Sequence, residues 1–262
     1  MRCALSVAGS DPIGGAGAQA DIKAMASLGV HAHTVITAVT AQNTVSVSEI
    51  LPIPCDMIAA QFDSVLSDSD VRSVKTGMLY SSEIAETVSD TLQDLGVPIV
   101  TDPVMAAGVG GSLAQKDLVK AIKKYMVPLC DLITPNRYEA EALAGITIND
   151  EDDAMLACEL IGKGGTSVYL KGGHMGSKKV VDILYHAAEF ERIEYPRLER
   201  AGHGGGCTLS SYITAYLAKG NDLVNSVLKA RELIQNSIAS MYVIGKGDKV
   251  VDPMACIRRY IR

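Results

Sequence analysis

Short apolar runs rich in β-branched residues alternate with helix-periodic stretches along almost the whole chain, and this alternation most narrows the folds open to it. Residues 4–8, 33–41, 71–76, 97–101, 129–133 and 166–170 read as strands. They are close to continuously apolar rather than alternating with polar residues, which marks strands covered on both faces. Between them, residues 18–28, 55–66, 81–95, 115–125 and 152–161 read as helices, with Ser81 as one N-cap. A further helix is expected to open at Thr134-Pro135, with Thr as N-cap and Pro at the first helical position. Residues 180–185 and 189–195 pattern as an antiparallel hairpin, and helices over 207–217 and 223–241 follow. The predicted architecture is α/β, a mostly parallel central sheet with helices on both faces. No linker, repeat or shift in composition divides it, so residues 1–262 are expected to form one domain.

Composition excludes several functional classes. The 262-residue chain carries a formal net charge of −6, has no Trp and only two Phe, and its basic clusters stay short. Nothing in it tracks a nucleic-acid backbone or offers a base-stacking platform. The six cysteines form no C-x-x-C pair, so neither a zinc knuckle nor a dithiol redox site is signalled. They read as reduced, mostly buried thiols. No apolar run approaches the roughly 18 residues of a membrane helix, and the N-terminus meets Gly9-Ser10-Asp11 too early for a signal peptide. A cytoplasmic protein is expected.

Chemistry-bearing residues stand at the ends of successive predicted strands: Asp11, Gln42, Asp102, then Asn136 with Glu139, and Lys171. In an open parallel sheet the carboxyl ends of the strands share one edge, and ligands bind there. The stretch Gly204-Gly205-Gly206-Cys207 runs into a buried helix. Glycine amides at a helix N-terminus form an anion site, and the helix field there is expected to lower the Cys207 thiol pKa. Each residue alone has a plainer reading. Glu139 in a first helical turn complements the dipole, or with Asn136 holds a hydrated Mg²⁺ near phosphates. Asp102 before Pro103 is a turn former or a carboxylate entering a site. Lys171 beside two glycines suits a phosphate. Gln42 closes an apolar strand with an amide that donates and accepts side by side, matching an aminopyrimidine edge. Asp21 reads as an ordinary surface acid of an early helix, Met78 and Val104 as core residues. His174 and His203 stand isolated, away from metal spacing, and read as structural. No Walker loop and no G-x-G-x-x-G is present.

Taken in order, the motifs resemble a known family. They are Gly9-Ser10-Asp11, Gly14-Gly15-Ala16-Gly17-x-Gln19-Ala20-Asp21, Thr40-Ala41-Gln42-Asn43-Thr44, Lys75-Thr76-Gly77-Met78, Asp102-Pro103-Val104-Met105, Thr134-Pro135-Asn136-x-x-Glu139, Lys171-Gly172-Gly173-His174 and Gly204-x-Gly206-Cys207-Thr208. This series resembles the hydroxymethylpyrimidine/phosphomethylpyrimidine kinases of thiamine biosynthesis, within the ribokinase-like fold, a three-layer αβα arrangement. The resemblance implies that Asp21 and Gln42 hold the polar edge of a pyrimidine, with Gly9, Met78 and Val104 around the ring. It also implies Cys207 as general base, the Gly204, Gly205 and Gly206 amides as anion hole, Asp102 and Glu139 at Mg²⁺, and Asn136 and Lys171 toward ATP. A homodimer is implied as well. Two departures stand out. Glycines occupy positions 202 and 205, where the family usually has threonines, so a hydroxyl contact to phosphate is missing and a looser loop is expected. Ala106-Ala107-Gly108 stand where the family commonly has a lysine, removing a positive group near the phosphates. Pyridoxal kinases of the same fold are the nearest alternative reading, and a non-catalytic pyrimidine-binding regulator is a second.

Overall fold

The computed structural model of the chain describes residues 1–105, 117–174, 179–198 and 202–258. A nine-stranded sheet runs through it in the order β3-β2-β1-β4-β5-β6-β7-β8-β9. The first six predicted strands are present as β1 (Arg2–Ser10), β2 (Val30–Gln42), β4 (Val71–Thr76), β5 (Ile99–Thr101), β6 (Leu132–Ile133) and β7 (Ser167–Leu170). All neighbouring pairs among these six are parallel. The expected hairpin is β8 (Lys179–His186) and β9 (Glu189–Pro196), turned by Ala187 and Ala188, both at positive φ. Two consecutive left-handed residues form the tight turn whose twist matches the flanking strands. Sequence reading missed β3 (Val47–Pro52), which pairs antiparallel with β2. Its exposed and half-exposed residues lack the apolar signal of the buried strands.

Helices cover both faces. On one lie α2 (Cys55–Leu66), α3 (Ser82–Leu92), α4 (Leu118–Ala121), α5 (Arg137–Ala144) and α6 (Glu151–Gly162), packed on Leu5, Val7, Val74 and Ile133. On the other lie α1 (Gly17–Ser27), α7 (Gly205–Ala218) and α8 (Leu223–Ala239), whose core includes Ala24, Tyr212, Ile213 and Ile234. A short α9 (Ala255–Arg258) follows. The predicted helix over 115–125 is α4 running into a π-helical turn, Ile122–Met126, and its first residues lie outside the described segments. The loop with Gly108, Gly110 and Gly111 lies outside them too. Helix α5 starts later than expected. Asn136, not Thr134, is its N-cap, through a capping box with Glu139, because Thr134 continues from β6 and donates its backbone N–H to Thr101.

One polar cluster runs through the middle of the sandwich. Asp21 of α1 is fully buried and takes the Lys75 ammonium of β4 at 2.8 and 3.0 Å, Ser6 Oγ of β1 at 2.5 Å and Ser211 Oγ of α7 at 2.7 Å. Two strands and two helices are tied through one carboxylate. Burial works against the Lys75 charge, but Asp21 together with Cys207 and Asp102 outweighs it and holds the ammonium above its ordinary range. Removing one member of a buried pair strands the other charge. Lys75→Met alone is therefore expected to destabilise the fold by about 3–5 kcal/mol, and the double variant Asp21→Asn/Lys75→Met by clearly less than the two single losses combined. Denaturant unfolding of the three variants measures this.

Candidate active site

The carboxyl ends of β1, β2, β4, β5, β6 and β7 open into a cavity of about 960 Å³. Gly9, Gln42, Met78 and Val104 line it toward one end, Asn136, Glu139 and Lys171 toward the other. The rim read from the strand ends is thus assembled in space. The first turn of α7 closes the cavity from above, with Gly204, Gly205, Gly206 and Cys207 all in the wall.

Helix α7 begins two residues before Cys207, so the glycines form its first turn rather than a loop ahead of it. Its first i→i−4 bond is Thr208 N–H to Gly204 O, which leaves the amides of Gly205, Gly206 and Cys207 without intrahelical acceptors. Gly204 sits at φ +92°, and a Cβ there would lie 1.8 Å from Gly15 O. Only glycine lets the turn carrying Gly14 to Gly17 approach the α7 N-terminus this closely. The threonine-to-glycine departures differ in character. A Cβ at Gly202 would lie 1.9 Å from Met241 Sδ, so Met241 fills the space a side chain would need. At Gly205 the nearest atom is Val251 Cγ2, 4.0 Å away, and that space is open.

The acids and the lysine meet beside this turn. Lys171 Nζ donates to Asp102 Oδ1 at 2.9 Å and lies 3.9 Å from Glu139 Oε2. A Cβ on Gly206 would be 3.3 Å from Lys171 Nζ and 3.4 Å from Asp102 Oδ2, so both press against the first turn of α7. Asn136 and Glu139, expected side by side, hold each other: Glu139 N–H donates to Asn136 Oδ1 and Asn136 N–H to Glu139 Oε2. Burial pushes the Glu139 carboxyl up to about 7, with Lys171 pulling it back and Asp102 adding to the rise. Two carboxylates sharing one ammonium leave room for further positive charge. Among the described residues no group of three or more side chains forms a ready metal cage, so a cation here would complete its shell with water and phosphate oxygens.

Three expectations need correction. Asp21 does not line the cavity; it lies beneath the floor, wholly occupied by Lys75, Ser6 and Ser211. The residue that does reach the wall from that pair is Lys75, whose signal was a lysine inside a central apolar strand. The Cys207 thiol is not lowered by the helix terminus. Desolvation pushes it up to about 11; Lys75 and a hydrogen bond with the Gly17 backbone oppose this, while Asp102 and Asp21 add to it. Finally, His203 belongs to the site. It is buried, lines the cavity, and its Nε2 lies 3.1 Å from Asp11 Oδ2 and 3.0 Å from Gln42 Nε2. Asp11 also accepts the amides of Ile13, Gly15 and Ala16. Burial opposes its charge, but His203 and these amides outweigh that and hold the carboxyl below its ordinary range.

Comparison with known proteins bears directly on this arrangement. A family model described as phosphomethylpyrimidine kinase matches residues 11–252. The hydroxymethylpyrimidine/phosphomethylpyrimidine kinase of Rhizobium meliloti is 40% identical over 249 residues, covering 93% of this chain and 94% of that protein. The thiamine biosynthesis bifunctional protein ThiED of Geobacter sulfurreducens is 42% identical over 246 residues, 93% of this chain, and the chain spans half of its length. Among solved structures, the pyridoxal kinase from Staphylococcus aureus in complex with AMP-PCP and pyridoxal superposes with a TM-score of 0.89 at 28% identity, covering 98% of this chain and 96% of that one. The fold is ribokinase-like.

Two measurements follow. Cys207 is expected to react with iodoacetamide at pH 8 about tenfold more slowly than an unperturbed thiol, because the thiolate fraction falls faster than its nucleophilicity rises. Asp102→Asn removes one of the charges that raise the thiol and should speed the reaction, as followed by mass spectrometry of the Cys207 peptide. Gly205→Thr should fold with unchanged or slightly raised Tm, since the space is open and the unfolded chain loses freedom, and should lower KM for ATP by restoring a hydroxyl at the anion site. Steady-state kinetics checks the second effect.

Proposed function

Since the chain belongs to the phosphomethylpyrimidine kinase family and is a phosphotransferase, we propose that it transfers the γ-phosphoryl group of ATP to the hydroxymethyl oxygen of 4-amino-5-hydroxymethyl-2-methylpyrimidine, and then to the resulting monophosphate, in thiamine biosynthesis or salvage. The observation that carries this reading is the meeting of the α7 amide turn and Cys207 with Lys171, Asp102 and Glu139 in the lining of a single cavity. The amide turn offers donors for developing negative charge, and the two carboxylates around Lys171 leave room for a cation that accompanies a nucleotide polyphosphate.

In this reading the pyrimidine lies toward Gly9, Gln42, Met78 and Val104, its hydroxymethyl group pointing to Cys207. The substrate oxygen forms a bond to the γ-phosphorus as the bond to the β-phosphate oxygen breaks, and ADP leaves. The substrate proton passes to the Cys207 thiolate, which becomes the thiol. Phosphoryl transfer runs through a loose transition state, so positioning and charge stabilisation dominate and proton removal is late. Only the thiolate can take that proton. Burial favours the thiol, its pKa pushed up to about 11, and positive charge arriving beside Asp102 with the nucleotide would offset part of that rise and free the acceptor. The Gly205, Gly206 and Cys207 amides are aimed at charge on the transferring group. Lys171 and Asn136 face the nucleotide phosphates. Asp102 and Glu139 would hold Mg²⁺, which supplies neutralisation of the phosphate oxygens when bound.

A second reading, phosphorylation of pyridoxal, is favoured by the close superposition on a pyridoxal kinase. Retention of Cys207 together with Asp102, Glu139 and Lys171 in one cavity argues against a non-catalytic binder, which needs no base. ADP release with the hydroxymethylpyrimidine, its monophosphate and pyridoxal supplied separately discriminates these readings. Turnover on the first two and little on the third is the expected result; pyridoxal turnover alone would replace the pyrimidine reading. Cys207→Ala should lower kcat by about 10²-fold or more with pyrimidine affinity nearly intact. Gln42→Leu should weaken pyrimidine binding and leave ATP binding in place, as read by calorimetry with each ligand.

A further inference from the structure

His203 meets two groups through one nitrogen. Its Nε2 is 3.1 Å from Asp11 Oδ2 and 3.0 Å from the end of the Gln42 side-chain amide, while its Nδ1 is buried and has no hydrogen-bond partner among the described residues. The ring packs closely on Gly15, where glycine leaves it room. A Cβ on Gly15 would lie 2.5 Å from His203 Cδ2, and the His203 backbone is bonded on both sides, to Lys249 O at 2.8 Å and from Val251 N–H at 3.1 Å.

The hydrogen placement follows from these contacts. Asp11 already accepts three backbone amides, and an ionised carboxylate is an acceptor only. The nitrogen facing it, Nε2, must therefore carry the hydrogen. The opposite tautomer would set two lone pairs against each other at Asp11 and bury an N–H at Nδ1 with no acceptor. With its hydrogen in place, Nε2 cannot accept from an amide nitrogen. The two ends of a glutamine amide have the same shape, so hydrogen bonding decides which one faces His203. It must be the carbonyl oxygen, which shares the single Nε2 hydrogen with Asp11 in a three-centre bond.

We propose that His203, held by Asp11, is a positioning residue that locks the Gln42 amide with its oxygen toward the imidazole and its NH₂ toward the cavity, making Gln42 a dedicated donor to a ring nitrogen of the heteroaromatic substrate. The second lone pair of the Gln42 oxygen remains free for an exocyclic amino group beside that nitrogen, so the pair reads an amidine-like edge. Selectivity in this pocket then resides in a residue that does not itself touch the substrate. A site whose donor is fixed rejects analogues lacking the matching acceptor, because the buried NH₂ is left unpaired.

This inference rests on Gln42 being a pyrimidine contact, and its test separates the two. The probe is the hydroxymethylpyrimidine and an analogue in which the ring nitrogen beside the amino group is replaced by C–H. The wild-type protein should bind the analogue about 100-fold more weakly. In His203→Phe, which keeps a flat ring but removes the donor, KM for the parent pyrimidine should rise about tenfold or more, the KM for ATP should stay within about twofold, and discrimination against the analogue should fall to about tenfold or less. Nitrogen-15 NMR of the histidine-labelled wild-type protein should show His203 with hydrogen on Nε2, its signal identified by its loss in His203→Phe. Unchanged discrimination in His203→Phe while Gln42→Leu abolishes pyrimidine binding would overturn this inference alone. An Nε2 without hydrogen would do the same, whether or not the variant folds. If Gln42→Leu itself leaves pyrimidine binding intact, the assignment of Gln42 fails first and this inference with it.

Discussion

The Asp21–Lys75 ion pair is the interaction on which the rest of the molecule depends. A parallel sheet covered on both faces has no water in its middle, so a charge there persists only with a full set of partners. Asp21 collects them from β1, β4 and α7, which fixes α1 and α7 against the sheet and against each other. The N-termini of both helices consequently sit side by side above the strand ends. Gly204 and Gly15 approach to a distance that excludes any side chain at Gly204. The cavity is what remains between these two helix starts and the ends of six strands.

The same burial sets the electrostatics of the site. Cys207 lies between a helix terminus that favours a thiolate and two carboxylates that oppose one, and desolvation outweighs both the helix field and Lys75. Helix-terminal stabilisation amounts to about 0.3–1 kcal/mol where solvent screens it, whereas taking a charge out of water costs several. The ordering of these magnitudes explains why a cysteine at a glycine-rich helix start is not automatically a low-pKa thiol. It also places weight on charge arriving with ligand: positive charge near Asp102 and Glu139 weakens one of the contributions that hold the thiol protonated.

Much of this was legible in the chain. Six near-continuous apolar runs specified a parallel sheet, and the polar residues ending them marked the edge at which the cavity opens. Other features were not. Strand β3 has neither a buried run nor a clean alternation, because it is an edge strand stabilised by pairing with β2. The start of α5 was misplaced because Thr-Pro-Asn offers two capping arrangements locally, and only the β6 ladder, by taking Thr134, decides between them. Asp21 looked like a surface acid since its partners lie 15, 54 and 190 positions away in sequence. His203 looked isolated for the same reason, being 161 positions from Gln42 and 192 from Asp11.

By itself the sequence determined what is local or periodic: element types, their alternation, the glycine-opened helix bearing Cys207, and through its motifs the family. Tertiary structure alone decided which charges are enclosed by protein and which line the cavity. That division depends on burial and on contacts between distant segments, and neither residue type nor spacing encodes them. Asp21 and Asp102 are both carboxylates of this chain. The close packing of α1 on α7 turns the first into a structural strut, and the open end of β5 leaves the second in the cavity wall.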